Sequence, residues 1–575
     1  MGHCSEELAV APPVGVAARR GRRRLERAQG LAEAEAARQA GCSEREAADR
    51  AGVPRSTLRD WREADAAGSA PPALAAFVQT PEGVRWLQAQ VLAAHFVITL
   101  LAGGGIRLVI RFLELSGLGQ FVGTSYGVHQ RLNAALEEAT VAYAQEQRAR
   151  LAPGMAPRWV TVCEDETFHP QICLVGLEPV CGFILLERYA SDRSAATWSK
   201  ALAEALAGLP LKVVQGTSDE GAGLLRHVRK DLGAHHSPDL FHVQHEVARA
   251  TALNLAAQVE QAAEATDRAR AELEAQRQAQ RAYAAERHGP GRPPDFAARI
   301  RAGVAELAAA ETAQRQAEER QAEARECVRE IARVYHPYEP GTGAAQPTAR
   351  LAERFAGIWD RLAKLAEAAD LPERARRRLA KARRVTTELL ATVTFFFALV
   401  QAKVEALGLP QELETAVYEN LVPALYLERV AGRSDHAEHR TEVRATAARL
   451  LEPLRRPEHP IQGLPADTRA LLEQVAGECA DLFQRSSSAV EGRNGQLALH
   501  HHGRHALSER KLQALTAVHN YFISRPEGTT AAERFFGTAP APMFTQLLER
   551  TPLPPQPARK RPRPPRPPYL QPLAA

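Results

Sequence analysis

Trp159-Val-Thr-Val-Cys-Glu-Asp165 is a strand-like run that ends in an acidic residue. A second apolar run, Leu211-Lys-Val-Val-Gln215, leads through Gly-Thr-Ser to Asp219 in the same way. Far downstream, the polar and helix-compatible residues 486–495 contain one carboxylate, Glu491. Carboxylates delivered by two strands and a distant helix are what a fold needs to hold two divalent cations. The three acids therefore form a candidate metal site.

The pattern around these acids predicts the order of the elements. Strands are expected at 159–163, 172–177, 180–187, 211–215 and 238–243. Helices are expected at 191–206 and 220–232, and a third begins at 244. The order β-β-β-α-β-α-β-α is that of a ribonuclease H-like α/β core with a mixed five-stranded sheet. It requires the first strand to lie beside the fourth, which would bring Asp165 and Asp219 to neighbouring strand ends.

The composition is that of a large soluble protein. The chain has 575 residues, 45% of them hydrophobic, and a net charge of +5, so several domains are expected. Its seven cysteines are scattered without a CxxC pair, which favours a reduced, bacterial cytoplasmic protein. The most apolar stretch, residues 91–106, is shorter than the roughly 20 residues of a membrane-spanning helix.

The first module of the chain resembles a helix-turn-helix at residues 31–65, after a basic, disordered arm at 1–30. Ser43 and Glu46 have the spacing of a capping box, and Gly52 permits a sharp turn. The second helix would present four polar residues to the DNA major groove, namely Arg55, Ser56, Thr57 and Arg59. The alternative is a helical hairpin whose basic face is merely solvated.

The remaining segments are mostly helical. Residues 76–150 form a helical domain in which 106–132 is either a second DNA-binding module or a plain packing helix. Residues 251–480 form a large all-α insertion, with a hairpin at 248–335 and a bundle at 350–475. The two arms of the hairpin flank a Pro/Gly turn, and their apolar stripe is mostly alanine. A stripe this thin needs a partner, either a second subunit or DNA.

The last two segments are expected to differ in structure. Residues 481–540 supply the final helices of the ribonuclease H-like core. Residues 552–575 are rich in Pro and Arg, so this tail is expected to be extended and disordered.

Several segments resemble the DDE-type transposases of bacterial insertion sequences, in particular those with a long helical insertion before the last acid. The matching segments are Cys163-Glu-Asp165-Glu-Thr-Phe168, Gly216-Thr-Ser-Asp219-Glu, Asp239-Leu-Phe-His-Val243, Ser488-Ala-Val-Glu491-Gly-Arg-Asn494-Gly, Asn520-Tyr-Phe and Gly528-Thr-Thr-Ala-Ala-Glu-Arg-Phe-Phe-Gly537. The resemblance covers roughly residues 159–250 and 480–540.

The resemblance implies a catalytic, metal-binding triad of Asp165, Asp219 and Glu491 that holds two Mg²⁺ or Mn²⁺ ions. Strand alternation shows only that Asp165 lies on one face and that Glu164 and Glu166 share the other. The resemblance selects Asp165 as the site residue. The implied substrate is double-stranded DNA, and a homodimer without membrane attachment is expected.

Four residues close to the triad are assigned supporting roles. Arg493 and Asn494 flank Glu491 on a common helix and are expected to contact DNA phosphates. Glu166 and His242 are expected to be accessory site residues. The alternatives to a transposase are a ribonuclease H-like nuclease or resolvase, or a catalytically inactive DNA-binding or structural relative.

Overall fold

The structure, a computed structural model, describes residues 29–66, 71–168, 171–289, 291–504 and 507–556. The predicted basic arm and most of the predicted Pro/Arg-rich tail lie outside these residues. The protein is mostly helical and divides into two compact units. Unit 1 comprises residues 1–150, 499–523 and 539–575, and unit 2 comprises residues 151–498 and 524–538.

One mixed sheet of five strands forms the α/β part of unit 2. Its strands are β1 (Arg158–Phe168), β2 (Ile172–Glu178), β3 (Phe183–Ala190), β4 (Leu211–Ser218) and β5 (His235–Pro238). The spatial order is β3-β2-β1-β4-β5. β1 pairs with β4, and β4 with β5, in parallel, whereas β2 pairs antiparallel with both of its neighbours, β1 and β3. The prediction that the first strand lies beside the fourth is therefore confirmed.

Helices make up most of the rest of both units. In chain order they are α1 (residues 29–39), α2 (Glu44–Arg50), α3 (Arg55–Ala66), α4 (Pro72–Phe77), α5 (Pro81–His95), α6 (Ile106–Leu115), α7 (Tyr126–Leu151), α8 (Ala195–Leu206), α9 (Ala222–Arg226), α10 (Leu240–Ala285), α11 (Phe296–Val334), α12 (Thr348–Ala368), α13 (Glu373–Glu405), α14 (Gln411–Ala416), α15 (Val422–Gly432), α16 (Ala437–Leu451), α17 (Ala466–Leu482), α18 (Ser488–Arg504), α19 (Glu509–Tyr521), α20 (Ala531–Phe536) and α21 (Met543–Arg550).

The two faces of the sheet are covered by different parts of the chain. On one face, Leu174 and Leu186 pack against Trp198 and Leu202 of α8. On the other face, the chain that follows α17 runs along β1, where the Thr161 hydroxyl donates to the Leu482 carbonyl at 3.0 Å. The sheet is thus buried on both sides, as expected for parallel central strands.

Helices α10 and α11 form the long antiparallel hairpin that the Pro/Gly turn predicts. They contain 46 and 39 residues. Arg270 pairs with Glu311 across the hairpin at 3.4 Å, while the Gln244 amide donates to the Val328 carbonyl nearer its base. The base joins the large core of the insertion, to which Leu255 and Ala324 contribute. The predicted hairpin is confirmed.

Two helical stretches, Pro81–Leu101 and Glu373–Glu405, are long and apolar enough to cross a membrane by length and composition alone. Both carry buried residues of helical cores, as the buried Leu92 and Leu389 show. Core helices of soluble proteins pass the same test, so the two stretches are weak support for membrane insertion.

Gly216 in β4 provides a test of the packing beneath the sheet. A Cβ atom at this position would lie 2.6 Å from Cγ2 of Val228, so Gly216→Ala should lower the free energy of unfolding by about 1–3 kcal/mol. Gly357→Ala is the control, because Gly357 lies in α12 with nothing within 4 Å of the added methyl group. It should be neutral or stabilising by up to about 1 kcal/mol. Urea unfolding measures both, and equal effects would contradict this packing.

Candidate metal centre

Three aspartates lie in one row across the parallel strands. The register pairs Cys163 with Thr217 and Thr217 with Ser237. Two residues further along the chain come Asp165 within β1, and Asp219 and Asp239 one residue past the ends of β4 and β5. The three positions are therefore neighbours where β4 and β5 end beside β1. Adjacent strands are about 4.8 Å apart. The sheet therefore places a third acid beside the predicted pair.

Asp239 is the least exposed member of the row, at 2% relative exposure. It forms the N-cap of α10, where its Oδ1 accepts the Phe241 backbone N–H at 2.8 Å. Its Oδ2 accepts a short hydrogen bond from the Ser487 hydroxyl. Its own N–H donates to the Ser218 carbonyl at 3.2 Å, which continues the β4–β5 ladder. Asp239 thus joins the end of the sheet to the segment before α18.

The segment that follows α17 carries Glu491 to this row. The Leu240 N–H donates to the Arg485 carbonyl at 3.0 Å, and the Cys163 thiol lies 3.7 Å from the Ser486 carbonyl. Ser487 then begins α18, and the Glu491 N–H donates to the Ser487 carbonyl at 3.2 Å. Glu491 therefore lies in the first turn of a helix whose start is fixed on β1 and α10.

Glu491 meets Asp239 and His242 at one point. One ligand atom from each of these residues lies within 4.8 Å of the other two. Asp239 is buried, Glu491 is half-buried and His242 is exposed. Ligand atoms around one Mg²⁺ ion lie up to about 4.2 Å apart, because each Mg–O distance is about 2.1 Å. A small adjustment of the side chains would bring the three atoms to that spacing.

Asp165 is joined to the same helix through Asn494. The Asn494 amide donates to Oδ2 of Asp165 at 2.8 Å, and the Glu166 backbone N–H donates to Oδ1 at 2.8 Å. Asp219 Oδ1 accepts the Gly221 N–H at 2.9 Å. Asp165, Asp219 and Glu491 thus lie near the same end of the sheet. Among the described residues, however, the group whose ligand atoms come within 4.8 Å of one another is Asp239, His242 and Glu491, without Asp165 or Asp219.

Crowding of these acids changes their titration. Burial raises the pKa of Asp165 to about 6, and the charges of Asp219 and Glu491 act in the same direction. The Glu166 N–H and the nearby His242 oppose the rise. Burial and the charge of Asp239 also raise the pKa of Glu491. The centre is therefore short of positive charge, which a divalent cation would supply.

The two glutamates next to Asp165 are engaged elsewhere. Glu164 is fully buried and lies 3.3 Å from Nε2 of the fully buried His227. Glu166 accepts the Trp198 indole N–H at 3.0 Å and pairs with Arg193 at 3.1 Å. The expectation that Glu166 is an accessory site residue is corrected, because its carboxylate packs against α8. Of the three acids Glu164, Asp165 and Glu166, the predicted site residue Asp165 is the one that contacts α18, through Asn494.

Arg493 does not offer its guanidinium to DNA. It donates to both oxygens of Glu187 in β3, at 2.8 and 2.6 Å, and the two side chains are 6% and 0% exposed. The predicted phosphate contact of Arg493 is therefore corrected, because its guanidinium anchors α18 to β3. The Asn494 amide donates to Asp165, and its predicted phosphate contact stays a prediction.

The last predicted strand is misplaced, and this hid one site residue. The sequence pattern predicts a strand over 238–243, whereas β5 ends at Pro238 and α10 begins at Leu240. The apolar alternation of the segment belongs to a helix start. Asp directly before a helix is a common N-cap, and that signal would have drawn attention to Asp239.

The predicted helix-turn-helix region consists of α1, α2 and α3. Ser43 and Glu46 form the predicted capping box, with the Ser43 N–H donating to Glu46 at 2.8 Å. Gly52 has a φ of +64° in the turn, and Leu58 is 1% exposed. Arg55 is exposed and pairs with Glu44 at 2.9 Å. The geometry is that of three short packed helices, and DNA binding by Arg55, Ser56, Thr57 and Arg59 stays a prediction.

Comparison with known proteins adds one match. Residues 417–563 match a family described as a family of unknown function, DUF6399. This segment includes α18 with Glu491, but not β1, β4 or β5. No curated protein matches the chain.

The raised pKa of Asp165 has a measurable consequence. The folded protein binds this proton more tightly than the unfolded chain, so ionisation of Asp165 costs stability as the pH rises from about 4 to above 6. Asn cannot ionise. Without divalent cations, the free energy of unfolding of Asp165→Asn relative to wild type should therefore increase across this range and then level off.

Asp192 supplies the matched control for that measurement. Hydrogen bonds from Ser194 and Thr197 hold the pKa of Asp192 below its usual range, so Asp192→Asn should lose relative stability as the pH rises towards about 4 and should change little between about 4 and 6. Urea unfolding in EDTA at several pH values measures both variants. A pH-independent difference for Asp165→Asn would contradict the crowded environment.

The buried Arg493–Glu187 pair predicts a structural role for Arg493. Arg493→Gln leaves a buried carboxylate without its partner and should lower the free energy of unfolding by about 3–5 kcal/mol. Arg270→Gln removes an exposed pair and should cost less than about 1 kcal/mol. Chemical unfolding compares the two, and a similar small loss for both would restore a surface role for Arg493.

Proposed function

We propose that the protein is a DNA transposase that cleaves phosphodiester bonds and transfers strands with the help of divalent cations. Support comes from the three aspartates in one row and from the sheet order, which is that expected for a ribonuclease H-like core. The resemblance of the segments around Asp165, Asp219 and Glu491 to DDE-type transposases supplies the choice of substrate. The proposal applies to double-stranded DNA at the ends of a mobile element.

The single observation that carries the proposal is the position of Glu491. It lies 272 residues after Asp219 in the chain, and yet it comes within 4.8 Å of Asp239 at the end of β5 and is near enough to raise the pKa of Asp165. Hydrogen bonds from Ser487 to Asp239 and from Asn494 to Asp165 fix the helix that carries Glu491 at this place. A surface acid without a function would not need to be fixed beside other acids. The assembly of charges that repel each other favours a role in cation binding.

The donor set fits Mg²⁺ or Mn²⁺. Asp165, Asp219, Asp239 and Glu491 offer carboxylate oxygens, the ligands that these hard cations prefer, and His242 adds an imidazole at the exposed side. A pair of cations bound here would supply charge for an attacking oxygen and for a leaving oxygen of the phosphodiester.

The residues of the chain would orient these ligands and the DNA. Asp165 is held by Asn494 and by the Glu166 N–H, so its free lone pairs have a fixed direction. Asp239 is fixed by its capping bond and by Ser487. A water oxygen would attack phosphorus as the P–O3′ bond breaks. The freed 3′-hydroxyl would then attack a target phosphodiester and release a target 3′-hydroxyl.

Two other parts of the proposal concern partners. The helices α1 to α3 would recognise the element ends through α3, with Arg55 among the exposed basic residues. Two ends must be joined, so a homodimer is the proposed assembly, acting in the bacterial cytoplasm. A ribonuclease H-like nuclease or resolvase would use the same centre, and it would be recognised by hydrolysis without strand transfer.

Substitution of the acids tests the proposal. Asp165→Asn, Asp219→Asn, Asp239→Asn and Glu491→Gln should each reduce Mg²⁺- or Mn²⁺-dependent cleavage of DNA from the flanks of the gene by more than about 100-fold. DNA binding should be retained, because these side chains contribute negative charge. Gel assays of cleavage and transfer, with binding measured in parallel, give both readouts.

Glu166→Gln is the matched control, since Glu166 neighbours Asp165 but packs against α8. This variant should retain most of the cleavage activity. Equal loss in Glu166→Gln and Asp165→Asn would refute the assignment of the centre. Cleavage that survives all four substitutions would likewise show that these acids are not the catalytic centre. Absence of cleavage by the wild-type protein would leave only a DNA-binding or structural protein.

A further inference from the structure

The α10–α11 hairpin separates its charges along its length. The turn and the adjoining helix ends, residues 277–301, contain six Arg and two acidic residues. The arms below it are acidic: residues 253–276 contain two Arg and five acids, and residues 302–330 contain four Arg and seven acids. A genome-wide preference for Arg would enrich the whole hairpin equally. The basic charge is instead concentrated at the end of the hairpin, which we call the hairpin tip (residues 277–301).

Most of the arginines at the hairpin tip have no acidic partner. Arg277 and Arg281 share Glu274. Within the described part of the chain, Arg287, Arg292 and Arg299 are exposed and form no ion pair. Arginines on the lower part of the hairpin include paired ones such as Arg270 and Arg329. The tip therefore has unneutralised guanidinium groups, which bind phosphates in a bidentate manner.

The hairpin tip is held in a defined shape. The Tyr283 and His288 rings stack with centroids 3.5 Å apart, and Tyr283 also contacts Phe296 at 5.4 Å. Asp295 caps α11 by accepting the Ala298 N–H at 2.9 Å. The stacked rings link the end of α10 to the start of α11. The tip thus presents its arginines from a connected base rather than from a loose loop.

The hairpin tip also lies far from the candidate metal centre. Helix α10 begins directly after its N-cap Asp239, which lies within the centre, and its 46 residues correspond to about 70 Å. Of the described residues, none between Leu255 and Ala324 belongs to the core of the insertion. The outer part of the hairpin therefore extends from that core. At 3.4 Å per base pair, 70 Å corresponds to about 20 bp of duplex.

We propose that the hairpin tip is a second binding surface for duplex DNA, which contacts phosphates up to about 20 bp from the bond at the metal centre. The choice of DNA as the partner rests on the proposed function. The acidic arms repel phosphates, so the duplex touches the tip and the centre but not the region between them. This arrangement favours DNA over an acidic protein, which would offer no contact at the centre.

The experiment compares two triple variants of the full-length protein. Arg287→Gln, Arg292→Gln and Arg299→Gln together neutralise the tip, while Arg268→Gln, Arg315→Gln and Arg325→Gln remove the same charge from the exposed faces of the arms. Binding to a fluorescein-labelled duplex is measured by anisotropy in EDTA, between about 50 and 200 mM salt. Because no cation is present, the result does not depend on catalysis.

The tip variant should lower the slope of log K against log salt by about 3, and the arm variant by less than about 1. In hydroxyl-radical footprints on flanking DNA, the wild type should protect a region about 20 bp from the cleavage position. Only the tip variant should lose this protection. Equal slopes in both variants would overturn the inference. So would a tip variant that binds DNA normally but loses self-association, which would assign the tip to the acidic arms of a second copy.

The two proposals fail separately. Loss of salt-dependent binding in the tip variant, together with cleavage that survives substitution of the acids, would leave a DNA-binding tip on a protein with a different chemistry. If the tip variant binds DNA normally and Asp165→Asn abolishes cleavage, the proposed metal centre would stand and only the inference about the hairpin tip would be overturned.

Discussion

The hydrogen bonds between the start of α10 and the chain before α18 join the two ends of the helical insertion, and the position of Glu491 depends on them. Leu240 and Arg485 are hydrogen-bonded although about 245 residues separate them. Closing a flexible loop of that length would cost about 5 kcal/mol or more. The intervening helices have their own large core, and the two ends of that folded insertion meet. The entropy of closure is therefore largely offset before Glu491 is placed.

Placement of the acids works against stability. Asp165, Asp219, Asp239 and Glu491 are gathered at one sheet edge, and burial and mutual repulsion raise the pKa values of two of them. The fold opposes this with neutral donors, from Asn494, Ser487 and backbone N–H groups, instead of with lysine or arginine. A lysine or arginine side chain at this place would neutralise the carboxylates permanently. Neutral donors fix the geometry and leave the charge available to a bound ion.

Most of the α/β core follows from local sequence signals. The runs that lead into Asp165 and Asp219 predict two central strands, and the Pro/Gly turn predicts the hairpin, because these signals lie within a few residues of each other. Arg493 could not be assigned in this way, since its partner Glu187 is 306 residues away. Nothing in a polar helix tells a surface arginine from one buried against a distant strand.

Asp239 and Glu166 were misjudged for a related reason. A short apolar alternation has the same appearance in a strand and in the first turn of a helix, so the pattern predicts the last strand too late in the chain and does not reveal the acid that caps α10. Alternation also placed Glu166 correctly on the face opposite Asp165, but the identity of its partners on α8 depends on the helix packing. Faces of strands are predictable from sequence; what covers them is a tertiary property.

The distance in sequence between the strands and Glu491 also has a consequence during synthesis. β1, β4 and β5 leave the ribosome first, and at about 5–20 residues per second the segment with Glu491 follows some 15–50 s later. During that interval the nascent chain contains the aspartates but not the helix that brings Glu491 to Asp239. A partly made protein would therefore lack a finished centre, and any nucleic acid near the ribosome would meet only an incomplete one.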